Sequence, residues 1–141
     1  YTLMIPTTLL EAYKATCYEI IDPKVAIFIG QENEALQTFL KENEITNWCF
    51  ITAWNPFSNA LPTEENNALN ESLRLDLKDY KILEAQGKDT IGNWPPEPSF
   101  FVANISEDQA IALGKKYQQN AIVYGTINET ARLITLVPKA S

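Results

Sequence analysis

The sequence predicts a single compact α/β (or α+β) domain, with a mixed β-sheet of about five to seven strands and three main helices. Three observations carry that prediction. A chain of 141 residues has the length of one domain. Its 45% hydrophobic and 21% charged content is that of an ordinary globular protein able to bury a core. Apolar β-branched runs alternate along it with segments of helical period. Residues 1–141 are therefore read as one domain.

Thr7 to Lys14 reads as a short opening helix, because Pro6 suits the position before a first turn and Leu9, Leu10 and Tyr13 recur at helical spacing. Ala15 to Ile21 and Lys24 to Ile29 read as the two strands of a hairpin broken at Asp22-Pro23. Glu32 through Glu42 carries Ala35, Leu36, Phe39 and Leu40 on one helical face. Trp48 to Trp54 is nearly continuous in apolar residues, as a central strand covered on both faces would be. Strand, helix and strand in this order predict a right-handed parallel crossover from Lys24–Ile29 to Trp48–Trp54, with the loops after Ile29 and Trp54 at one edge of the sheet.

Asn55 to Leu61 must be a loop, since Pro56 holds Asn55 out of helical geometry and Ser58-Asn59 favours a turn. A long helix follows to about Asp79. Thr63 is placed to cap it, Glu64 and Glu65 suit its positive end, and Leu69, Leu73, Leu77 and Tyr80 form its buried stripe. Lys81 to Ala85 reads as a strand. Gln86 to Pro98, with its glycines, its prolines and Trp94, reads as a long structured loop, and Ser99 to Asn104 as another strand. Ser106-Glu107-Asp108-Gln109 matches a capping box at the head of a helix running to Tyr117, with Gln109 reaching back. Asn120 to Gly125 and Thr130 to Leu136 complete the set as two strands.

Composition removes several function classes. The chain contains no histidine, so Ser-His-Asp and Cys-His catalysis are excluded and the commonest transition-metal ligand is missing. Its formal charge is −7, Arg74 and Arg132 are its only arginines, and Lys115-Lys116 is its only adjacent basic pair. Nucleic acid, which demands clustered positive charge, is not an expected partner. The run Val25 to Ile29 is far too short to span a bilayer, and no basic segment followed by an apolar stretch opens the sequence. A cytoplasmic protein without membrane partner is therefore expected. Cys17 and Cys49 sit in apolar segments without metal or redox spacing and are read as free, buried thiols; no metal and no cofactor are expected. Gly30, between a strand and a helix, lacks the Gly-rich pattern and lysine of a phosphate loop.

The strongest local constellation is Thr52-Ala53-Trp54-Asn55-Pro56-Phe57-Ser58, followed by Glu65-Asn66. A buried strand here runs out into a rigid, polar turn at the end of a sheet, where α/β folds tend to bind ligands. The same side chains could equally satisfy their own loop, with Glu65 only complementing a helix dipole. Asn66, Asn70 and Arg74 recur every fourth residue and form a polar row, in which Arg74 offers a planar fork for an anion. Glu97, between Pro96 and Pro98 and near Trp94 and Phe100, is the preferred acid/base candidate, with Glu65 second. Pro95-Pro96-Glu97-Pro98 also fits a loose polyproline-recognition pattern.

The succession from Thr52 to Ser58, then Glu65-Asn66, Leu73, Trp94 with Glu97-Pro98-Ser99, and Gln119-Asn120-Ala121 resembles a bacterial family, domain of unknown function 3293, from about Tyr13 to Leu136. The resemblance supports one whole-chain domain. It implies no activity; it marks the same positions and adds Gln119 to them.

Three functions follow as expectations. The first is a small-molecule-binding domain whose polar cleft joins Thr52, Asn55, Ser58, Asn66, Asn70, Arg74 and Gln119, favouring an anionic or amide-bearing ligand. The second is an enzyme at the same cleft using Glu97 or Glu65. The third is a protein-interaction module, in a monomer or homo-oligomer, that presents the loop from Trp94 to Pro98.

Overall fold

The computed structural model describes residues 4–139, so the reading of the first residues as leaderless falls partly on residues 1–3, outside the described part. The chain forms helix α1 (Thr7–Ala15), strands β1 (Cys17–Ile20) and β2 (Val25–Ile27), helix α2 (Glu34–Glu42) and strand β3 (Asn47–Ile51). After a single 3-10 turn (Pro56–Ser58) come helix α3 (Thr63–Asp76), strands β4 (Ile82–Lys88) and β5 (Glu97–Ala103), helix α4 (Glu107–Lys116) and strands β6 (Ala121–Thr126) and β7 (Arg132–Thr135). No helix among the described residues is long and apolar enough to cross a membrane.

The strands form one seven-stranded sheet in the order β2-β1-β4-β5-β3-β6-β7, antiparallel at every neighbouring pair. The predicted crossover through α2 is corrected in one respect. β2 and β3 run in the same direction in one sheet, but β1, β4 and β5 lie between them, so they are not partners. β1 folds back on β2 as one hairpin, and a second hairpin, β4 with β5, inserts between β1 and β3.

Helices cover both faces. Leu36, Phe39 and Leu40 of α2 pack on Tyr18, Trp48, Phe50 and Phe101, whereas Leu73 and Leu77 from α3 and its end, with Ala110 of α4, pack on Cys49, Ile51, Phe100 and Val102. Alternation along β3 thus feeds both cores, and its four residues from Trp48 to Ile51 are all buried, as predicted for a central strand. Leu73 and Leu77 are fully buried, and burial of this kind contributes about 1.5–3 kcal/mol per side chain.

Three local expectations change. The excursion predicted over 86–98 shrinks to residues 89–96, because β4 continues through Gly87 and β5 begins at Glu97, with Gly87 opposite Glu97 and Gln86 opposite Pro98. A strand tolerates Pro98 there because it lies beyond the last pair with β3, Ile51 opposite Phe100. Thr63 is the first residue of α3, with Pro62 at the cap position and no side-chain cap. Ser106 caps α4 by accepting the Gln109 N–H, while the Gln109 carboxamide oxygen accepts the Tyr80 hydroxyl. Cys17 and Cys49 are buried and unlinked, and burial pushes both thiols up.

Candidate functional site

Where β3 ends, its backbone is handed to side chains. The Ala53 N–H donates to Asn70 Oδ1 at 2.9 Å and the Trp54 N–H to Thr52 Oγ1 at 3.0 Å. The Thr52 hydroxyl and Asn70 Nδ2 both donate to the Pro98 carbonyl, at 2.7 and 3.0 Å, tying this end of β3 to β5. Asn55 then takes a left-handed conformation with φ 47°, which asparagine tolerates better than most residues. Phe57 and Ser58 follow with φ 54° and 60°. Such conformations cost about 1–3 kcal/mol each and persist only where surroundings enforce them.

The enforcement comes from α3. The Asn55 N–H donates to Asn66 Oδ1 at 2.9 Å, and Asn66 Nδ2 donates back to Asn55 Oδ1 at 2.7 Å. Leu61 N–H also donates to Asn55 Oδ1, at 3.0 Å. The Asn55 amide is left to reach the other way, to Glu97 Oε1 at 3.3 Å. Opposite, the Ser58 hydroxyl lies 2.5 Å from the Tyr13 hydroxyl of α1, which accepts from Asn120 Nδ2 at 2.9 Å. The Phe57 N–H donates to the Gln118 carbonyl, and Gln119 Nε2 to the Trp54 carbonyl.

Between these clusters lies a cavity of about 260 Å³. Its walls are largely apolar and aromatic, with Tyr18 and Phe50 from the sheet, Leu9 and Ala12 from α1, and Trp54 and Trp94 from the loops. The hairpin tip over it is organised by Asp89, whose carboxylate accepts the N–H groups of Ile91, Gly92 and Trp94; these bonds hold its pKa below the usual carboxylate range. Glu97 borders the cavity half-buried. Burial pushes its carboxyl above the ordinary range, opposed by hydrogen bonds from Trp94 Nε1 and Asn55 Nδ2. Burial likewise raises the Tyr13 and Tyr18 hydroxyls, so both stay protonated at neutral pH.

The fold therefore brings Thr52, Asn55, Ser58, Glu97 and Gln119 to one concavity. Asn66 and Asn70 are buried behind the loop and support it. Arg74 lies outside the lining: its guanidinium binds Glu71 at 3.1 Å and Glu84 at 2.5 Å and sits 4.8 Å from the Phe100 ring centroid. Glu65 is exposed on α3, also outside the lining. Sequence reasoning left Tyr13 and Tyr18 out of the site, and Asn120 too, although it stands in the quoted Gln119-Asn120-Ala121. Tyr13 carried only a helical spacing, and nothing local indicates that its hydroxyl meets Ser58 and Asn120 across the fold. Among the described residues no group of three or more Cys, Asp or Glu is gathered to hold a metal ion.

The model of a family described as protein of unknown function (DUF3293) matches residues 51–122. The chain belongs to this family. No curated protein and no solved structure matches it. The DUF3293 match begins at the last residue of β3 and ends in β6, within the span over which the resemblance was read. It contains the Asn55 loop, its α3 supports, Glu97 and Asn120. The α1 wall of the cavity, with Tyr13, lies before it.

Proposed function

We propose that this DUF3293 domain binds a small organic molecule, with an apolar body and a hydrogen-bonding head, in the cavity between α1 and the sheet. The observation that carries the reading is the convergence on one 260 Å³ space of an aromatic wall and two polar clusters, Asn55–Glu97–Trp94 and Tyr13–Ser58–Asn120. Binding sites combine this kind of apolar lining with a few oriented polar groups. The amide-bearing ligand expected from the sequence fits these donors and acceptors. An anion loses its support, because Arg74 is engaged with Glu71 and Glu84 and the described lining contains neither lysine nor arginine. A cytoplasmic location is supported by the two free, buried thiols, and the charge of −7 speaks against a nucleic-acid partner.

Binding is favoured over catalysis because Tyr13, the neighbour that could activate Ser58, is held protonated by burial. A second reading, protein contact through the 89–96 tip, is supported by the exposure of Ile91 and Trp94. Thermal shift against small amides, alcohols and amines tests the pocket. Ala12→Leu, which places a larger side chain in the cavity wall, should abolish stabilisation by any hit, whereas Arg74→Ala and Ile91→Ser should retain it. A hit that survives Ala12→Leu binds elsewhere, and loss of the response in Ile91→Ser would favour the tip.

A further inference from the structure

We propose that the head group recognised in this cavity, which Trp54 and Trp94 border, is a primary ammonium with the Glu97 carboxylate as its counter-ion. The inference rests on the pocket reading above and adds the charge of the ligand. Glu97 borders the cavity with a carboxylate that the protein leaves underserved. Its Oε1 accepts two long bonds from neutral donors, Asn55 Nδ2 at 3.3 Å and Trp94 Nε1 at 3.4 Å, and its other oxygen has no protein donor among the described residues. None of the ion pairs among the described residues includes Glu97.

A half-buried carboxylate without a cation is costly, and whatever fills the cavity removes more of its water. A neutral donor would offset only part of that cost, because it brings a hydrogen bond without a countercharge, and an anionic head would add to it. An ammonium removes it. Its N–H donors match the lone pairs that the Glu97 carboxylate leaves open, in a charge-assisted bond of the strong kind. Of the other titratable groups around the cavity, Tyr13 and Tyr18 are neutral, whereas Asp89 is charged but already accepts three N–H groups of its own loop. The net charge of −7 draws cations and repels anions. An apolar cavity of about 150 Å³ suffices for benzene, so the 260 Å³ here fits a ring with a short chain.

Three probes of nearly one shape isolate the charge: 2-phenylethylamine, 2-phenylethanol and phenylacetate, titrated calorimetrically into the folded chain at pH 7. The amine should bind about tenfold or more tighter than the alcohol, and phenylacetate weakest. Glu97→Gln should bring the amine down to the level of the alcohol, and Ala12→Leu should abolish binding of both. Equal binding of amine and alcohol, or an amine preference that persists in Glu97→Gln, overturns the ammonium reading and leaves the pocket standing. Absence of binding by all three at millimolar concentration overturns both.

Discussion

One face of the sheet is finished in two different ways. Under α2 it is filled to contact: Leu36 and Leu40 are almost completely buried, Trp48 stacks on Phe101 at 5.2 Å, and Gly125 opposite Trp48 has no room even for a methyl group. Under α1, a helix with no buried residue, the same face is left open as the cavity, with Tyr18 and Phe50 as its floor. The filled end is built by apolar shape alone. The open end is held by polar side chains that answer one another across four segments, α1, the Asn55 loop, β5 and the turn before β6. Stability and recognition are thereby carried by different ends of one surface.

The contrast is broken most severely at Gly125. A Cβ there would lie 2.5 Å from the Trp48 indole, so Gly125→Val should lower stability by about 3 kcal/mol, the upper end of what overpacking costs. Ala12→Leu at the open end should change it by less than about 0.5 kcal/mol, as expected where space is free. Urea denaturation of the two variants measures this difference directly, and similar losses in both would erase the distinction. Next in size is Asn66→Ala. It strands the buried Asn55 N–H and should cost about 2 kcal/mol. It should also remove ligand-induced stabilisation, because the left-handed loop loses its brace.

The smallest effect sharpens the comparison by pH. Glu97 in the fold holds its proton more tightly than an exposed glutamate, chiefly through burial. Its contribution to stability is therefore full at low pH and is lost as pH rises through the folded pKa. Glu97→Gln does not titrate, so its melting temperature relative to the parent should increase between about pH 4 and pH 7. A flat difference across that range, followed by scanning calorimetry, would mean that the carboxylate is solvated and the open end wetter than its lining implies.

The sequence disclosed segments better than their assembly. Periodicity placed α2, α3, α4 and the buried strand β3, because each pattern is local. The insertion of β1, β4 and β5 between β2 and β3 depends on pairings between distant residues, which periodicity does not encode. Gly87, Gly92 and the prolines at 95, 96 and 98 were read as one loop, although pairing with β4 and the end of β3 let Pro98 remain in a strand. At the site, Asn-Pro made a break in regular structure legible because Pro56 keeps Asn55 out of the right-handed helix, but the left-handed conformation Asn55 takes rests on Asn66 across the loop. The error at Arg74 has a geometric origin. Spacing by four keeps a side chain in one row, but it also climbs the helix, so Arg74 stands about 12 Å beyond Asn66 and meets Glu84 instead of the loop.

The placement of the three tryptophans gives the domain a built-in optical readout. Trp54 and Trp94 border the cavity, the latter half-exposed and bonded to Glu97, whereas Trp48 is sealed in the core under α2. Their emission should separate accordingly, a blue-shifted band from Trp48 and a redder one, open to quenching by iodide or acrylamide, from the other two. Occupation of the cavity should shield the red component and leave the blue one unmoved. Unfolding should shift the blue band as well, so one unlabelled sample distinguishes a bound domain from a denatured one.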